Sequence, residues 1–142
     1  MADTATVNWY GDRVTLKVKG AKQKILDELA LVGEGKAKMN IVANNQVDTG
    51  FMLNSVYAVT SKGVASKPSG GGTFTNRLGQ TVTRRAGPVH GKVAEGESAI
   101  AAAAEYAIHQ EMKKSFLYRA LEQIASEAGG IIERIGAEEL SE

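Results

Sequence analysis

The sequence predicts an α+β fold: a small antiparallel sheet packed by a long helix from the N-terminal half of the chain and by helices near the C-terminus. Three observations predict it. Ile25, Leu26, Leu29, Val32, Ala37, Met39, Ile41 and Val42 recur at helical spacing over residues 21–44 and give one helix a broad apolar arc. Phe116, Leu117, Ala120, Leu121, Ile124 and Ala128 form a second stripe behind Ser115, whose hydroxyl can accept from the unpartnered amides of a helix start. Between the two, residues 56–60 read VYAVT, a composition rich in β-branched and aromatic side chains.

At 142 residues with 43% hydrophobic and 23% charged content, the chain is read as one globular domain spanning residues 1–142. It has no cysteine, which removes disulfides and thiolate metal sites from consideration and fits folding in a reducing cytoplasm. The longest apolar run, residues 99–104, is too short to span a bilayer, and the first residues lack the charged start and apolar run of a signal peptide. No membrane contact is therefore expected. Charge is segregated along the chain. Residues 49–94 contain no Asp or Glu and carry Lys62, Lys67, Arg77, Arg84, Arg85 and Lys92, whereas residues 95–142 carry ten acids against four bases. Such segregation suits either two solvated surfaces or a basic loop facing phosphate or an acidic neighbour.

Residues 7–10 and 14–18 read as short strands around the Gly11-Asp12 turn pair, with Trp9 as a core or interface anchor. The helix over residues 21–44 follows. Gly33 and Gly35 interrupt it at a cost of about 1 kcal/mol each against alanine, which points to a neighbouring backbone packing close. Asp48 or Thr49 then caps a short helical turn, with Gly50 free to take unusual dihedrals. An Asp-Thr-Gly triplet also occurs in aspartic proteases, but that chemistry needs a second carboxylate and a β-rich setting, which the preceding helix contradicts.

After the strand at residues 56–60 the chain turns loop-like, and TFTNRLGQTVTRR over residues 73–85 reads as a hairpin around Leu78-Gly79. The whole excursion, about residues 61–87, is long for a compact domain and predicts a protruding basic arm. Residues 89–93 are expected to return to the sheet. Glu95, Glu97 and Ser98 ahead of an alanine run predict a helix over residues 99–112, with His109 and the Lys113-Lys114 pair near its negative end. The last helix runs from Ser115 to about Glu127, meets Gly129-Gly130 and resumes through Ile131, Ile132 and Ile135. Residues 136–142 read as a frayed acidic end. His90 and His109 have no metal-site spacing around them. No nucleophile and base pair or cofactor loop can be assembled from spacing, so the chain is read as a non-enzyme without cofactor.

With these pieces in place the chain resembles the tail-completion, neck or head–tail joining proteins of long-tailed double-stranded DNA bacteriophages. The resemblance rests on residues 47–50, VDTG, with Leu53 and Ser55 after them; on Tyr106-Ala107 with Glu111; and on Phe116-Leu117 with Ala120-Leu121. Order and spacing match over roughly residues 21–128. The chain departs from the family pattern where Glu111 runs into Met112-Lys113-Lys114-Ser115, a shortened link, and in the length of its glycine-rich excursion.

The resemblance implies a virion structural protein, made and assembled in the host cytoplasm. It would complete the tail or join it to the head as a subunit of a sixfold or twelvefold ring around the DNA channel. The implied partners are further copies of the chain, the head connector with its portal-associated proteins, the tail tube or its terminator, and channel DNA. On this reading Arg77, Arg84 and Arg85 supply polar or phosphate contacts, and Phe74 and Leu78 are the arm's apolar anchors. Asp48, Thr49, Gly50, Tyr106, Glu111, Phe116 and Leu117 belong to the fold. The alternative is a small nucleic-acid-binding protein that uses the same arginines and Lys67 in the basic segment 62–92, although Phe74 is the only aromatic there to stack on a base.

Overall fold

The computed structural model describes residues 11–140. Its α+β architecture has a helical layer on one face of a small antiparallel sheet and irregular chain on the other. Helix α1 spans Gly11–Ala43, about 50 Å at 1.5 Å per residue. Residues 14–18 are thus helical rather than a strand, and Gly11-Asp12 is helical as well instead of turning a hairpin. Five alternating residues are too weak a signal against a cooperative helix already fixed by the arc that follows. Trp9 and the strand expected at residues 7–10 lie outside the described residues.

Neither glycine breaks α1, and they differ in what surrounds them. A Cβ on Gly33 would stand 3.3 Å from the Ile100 side chain, whereas nothing lies within 4 Å at Gly35. Close packing explains the first glycine only. Helix α2, Phe51–Ser55, leads into β1, Val56–Thr60, which is buried along its whole length. Strands β2 (Gly63–Val64), β3 (Gly72–Thr75), β4 (Thr81–Arg84) and β5 (Ala99–Ala102) follow, then α3 (Ala107–Lys113) and α4 (Leu117–Leu140). The main sheet has the order β2-β1-β5, antiparallel throughout, and β3 pairs with β4 in a separate hairpin about Leu78-Gly79.

The alanine run forms strand β5, paired with β1 from Val56↔Ala102 to Val59↔Ala99, and not the expected helix start. Alanine's helix preference over four residues amounts to a few tenths of a kcal/mol each. Pairing with a fully buried neighbour outweighs that, and the strand's one large side chain, Ile100, packs onto α1 at Gly33. Ser98 caps nothing: its hydroxyl donates to the Leu26 carbonyl at 2.7 Å.

Apolar clusters lie on both faces of the sheet. Ala37, Ile41, Phe51, Met52, Val56, Phe116 and Ala120 fill the helical side. Tyr57, Val59 and Ala103 lie on the other, under Val64, Ala86 and Val93. Residues 89–93 do not return to the sheet; they cover this second face, where the His90 amide donates to the Tyr57 hydroxyl at 3.1 Å.

Helix α4 runs antiparallel to α1. Lys24 pairs with Glu139, Glu28 with Arg134, Lys36 with Glu127 and Asn40 with Gln123, in descending order along α4. The helix passes through Gly129-Gly130 without a break and continues to Leu140, so the end expected to fray at residue 136 is helical as far as it is described. Ala120 and Ile135 are buried, but Leu121, expected on the buried stripe, is half exposed.

Candidate functional site

Two junctions bring together the residues singled out in the sequence. The first joins α3 to α4. Glu111 projects its carboxylate over the start of α4, accepting from the amides of Phe116 and Leu117, each at 2.8 Å, and of Tyr118 at 3.0 Å. The Ser115 hydroxyl donates to the same carboxylate at 2.7 Å and accepts from the Arg119 amide at 3.2 Å. Ser115 therefore caps α4 as expected, but Glu111 satisfies more of its orphan amides. Burial alone would push the Glu111 carboxyl up; the amides of Leu117, Tyr118 and Phe116 and the Ser115 hydroxyl outweigh it and hold the group below its ordinary value.

The last turn of α1 and the chain just beyond it seal this junction from the other side. Asn40 donates to the Phe116 carbonyl at 3.1 Å, Asn44 to the Ser115 carbonyl at 3.1 Å, and Gln46 to those of Gln110 and Lys114, each at 3.0 Å. Phe116 is fully buried beneath these bonds.

The second junction holds the β3–β4 hairpin to the body. Gly50 takes a left-handed φ of 81° ahead of α2, a conformation that glycine adopts without strain, and the Thr49 hydroxyl accepts from the Phe51 amide at 3.1 Å. Asp48 does not cap α2. Its carboxylate accepts from the Arg77 amide at 3.0 Å and pairs with the Arg84 guanidinium at 3.3 Å. The Arg77 guanidinium donates to the carbonyls of Val47 and Asn45. Arg84 also lies over the Tyr106 ring, 5.4 Å from its centroid. Burial pushes the Tyr106 hydroxyl up, against the lowering effect of Thr49 and of the Arg84 charge.

Phe74 stacks on Phe51 with ring centroids 5.1 Å apart, so its apolar contact is with the molecule's own core and not held free for a partner. The excursion is accordingly fastened at its base and does not protrude along its whole length. Of the six residues expected to meet a partner, Phe74, Arg77 and Arg84 hold the hairpin in place. Lys67, Leu78 and Arg85 are exposed, and Leu78, at the tip, retains 81% of its surface.

Sequence reasoning missed Phe51 as the hairpin's platform and the carbonyls of Asn45 and Val47 as its anchor. It also missed Glu34, whose carboxylate accepts from the buried Ala58 amide at 3.0 Å. None of these carries a local pattern, because each acts on a residue more than twenty positions away. Among the described residues no group of three or more His, Cys, Asp and Glu is placed to hold a metal ion, and no helix is long and apolar enough to cross a membrane. No protein-family model, curated protein or solved structure gives a significant match to the chain.

Proposed function

We propose that this chain is a structural subunit at the neck or proximal tail end of a tailed bacteriophage. Copies of it would form a ring around the DNA channel, completing the tail or joining it to the head. The observation that carries this reading is the meeting of the three stretches behind the resemblance, which lie far apart in sequence. Arg84 links Asp48 to Tyr106, Thr49 lies against the same tyrosine, and Glu111 holds the amides of Phe116 and Leu117. The network fixes a hairpin that presents Leu78 outward, with Arg85 and Lys67 exposed on the chain beside it. An apolar tip with basic residues nearby suits contact with a neighbouring subunit, the tail tube or the head connector.

Deleting the gene from the phage genome and imaging the lysate by negative-stain electron microscopy tests the proposal. Filled heads beside unattached tails are expected for a joining role, and tails of irregular length for a completing one. Normal infectious particles would overturn it. Salt-sensitive binding of the isolated chain to duplex DNA, with affinity falling steeply as counterions are added, would then favour the nucleic-acid-binding reading.

A further inference from the structure

The outer edge of β5 is an open row of backbone donors and acceptors. The Ala58 amide is taken by Glu34 and the Ala58 carbonyl accepts from Ala65, so this residue turns its polar groups away from β5. Its register partner Ile100 must then turn away from β1, as must Ala102 two residues on. Ala103 and Glu105, in the opposite phase, bond inward to Ser55, Gly87 and Arg85; the Ala104 amide turns the same way as Ile100 and Ala102, but Ala104 is buried in the core and ends the open row. Among the described residues none of these outward groups has a hydrogen-bond partner except the Ala104 carbonyl, which accepts from Ala107. Sheet edges are ordinarily guarded by lysine, proline or a bulge. This strand reads AIAA and has none of them.

The surroundings of the edge say what would suit it. Ala102 and Ala104 border a cleft of about 260 Å³ walled by Ile108 and Leu117, and Ile108 and Met112, one helical turn apart on α3, are 65% and 81% exposed. Residues 93–108 carry Glu95, Glu97 and Glu105 and no lysine or arginine. An occupant should therefore be an extended segment, basic and free of acids, with an apolar group near its end.

The β3–β4 hairpin has these properties. Asn76 donates to the Gln80 carbonyl, so the pairs Phe74↔Val82 and Gly72↔Arg84 exchange bonds inside the hairpin, and Thr81 and Thr83 turn their amides and carbonyls outward from β4. The hairpin has the exposed Leu78 at its tip and the exposed Arg85 beyond its second strand. We propose that the β4 edge of one copy pairs with the β5 edge of the next, continuing the sheet from subunit to subunit. This inference rests on the ring-subunit reading and specifies its contact. A contact between two different surfaces of the same chain is head-to-tail, the kind that generates rings when the rotation closes.

Sedimentation velocity on the full chain and two variants tests the pairing. Ala102→Pro removes one outward amide from β5, and Thr83→Pro removes one from β4; proline is accepted at such edge positions. The wild type is expected to assemble as its concentration rises, and each variant alone to lose every species above monomer. An equimolar mixture of the two should form a dimer and stop there, because only one intact β4 edge and one intact β5 edge remain to meet. Assembly of Thr83→Pro alone would overturn the proposal, since β5 would then be pairing with something else. Assembly of Ala102→Pro alone, or a mixture that stays monomeric, would also overturn it while leaving the ring reading intact. A wild type that stays monomeric at every concentration would overturn the pairing, whereas the ring reading, whose subunits can assemble on the tail or connector, is decided by the gene deletion. If circular dichroism shows that either variant fails to fold, amide exchange of the wild type decides: Thr81, Thr83, Ile100 and Ala102 should exchange freely when dilute and become protected on assembly, and unchanged exchange would refute the pairing.

Discussion

Glu111 and Asp48 each use a carboxylate to hold backbone amides, but over very different spans of chain. Glu111 reaches residues four to seven positions ahead, Ser115 to Tyr118, and fixes the angle at which α4 leaves α3. Asp48 reaches Arg77 and Arg84, 29 and 36 positions away, and fixes a hairpin to the body. Glu111 is partly buried and gathers four donors, whereas Asp48 retains 41% of its side-chain surface and shares its work with the Phe51–Phe74 stack. The first junction governs a helix that packs along much of the domain. The second governs a peripheral element, and its loss should be felt locally.

Breaking Glu111 should have the larger effect. Glu111→Ala leaves the amides of Phe116, Leu117 and Tyr118 without their acceptor and is expected to lower unfolding stability by about 2 kcal/mol at neutral pH, measured by urea denaturation. The cost should depend on pH. The folded carboxyl titrates below its ordinary value, so the stability it adds is complete above the ordinary glutamate range and disappears as pH falls through the folded value. The wild-type and variant midpoints should therefore converge in acid. A gap that persists there would mean that Glu111 acts through packing instead.

Asp48→Ala is expected to cost about 1 kcal/mol or less, as exposed ion pairs do, and to release the Arg77 amide to hydrogen exchange while the amides of β1 stay protected. Global unfolding in place of local release would make the two junctions equivalent. A change of similar size and opposite sign should come from Gly129→Ala, since nothing lies within 4 Å of that position and alanine is favoured over glycine in a helix by about 1 kcal/mol. Combined with Glu111→Ala it should restore stability additively without altering the Arg77 amide, because α4 is strengthened and the hairpin is not touched.

The same contrast explains what could be read from the sequence. The arcs of α1 and α4, the buried strand at residues 56–60 and the turn at Leu78-Gly79 all rest on spacing within a few residues, and they were legible, except that Met39 and Val42 on α1 and Leu121 on α4, expected on the buried arcs, face outward. The alanine run misled because alanine favours a helix locally and only its partner β1, some forty residues away, makes it a strand. Gly129-Gly130 read as a break because the ion pairs that carry α4 past them lie on α1. At the candidate site, Arg77 and Arg84 stood out by charge, but that charge is turned onto Asp48 and the carbonyls behind it, a direction no pattern within the hairpin reveals. Ser115 was legible as a cap because a cap acts on its own helix; Glu111 caps from the helix before.

The antiparallel pairing of α1 with α4 also sets an order of events during synthesis. α1 ends at Ala43, and the helix that covers it begins only at Leu117. At about 5–20 residues per second the ribosome needs several seconds to make the intervening chain. Through that interval an apolar helical face waits uncovered. Folding of this domain is therefore completed after the last helix has left the exit tunnel, and the nascent chain is most exposed to chaperones and to premature association just before that.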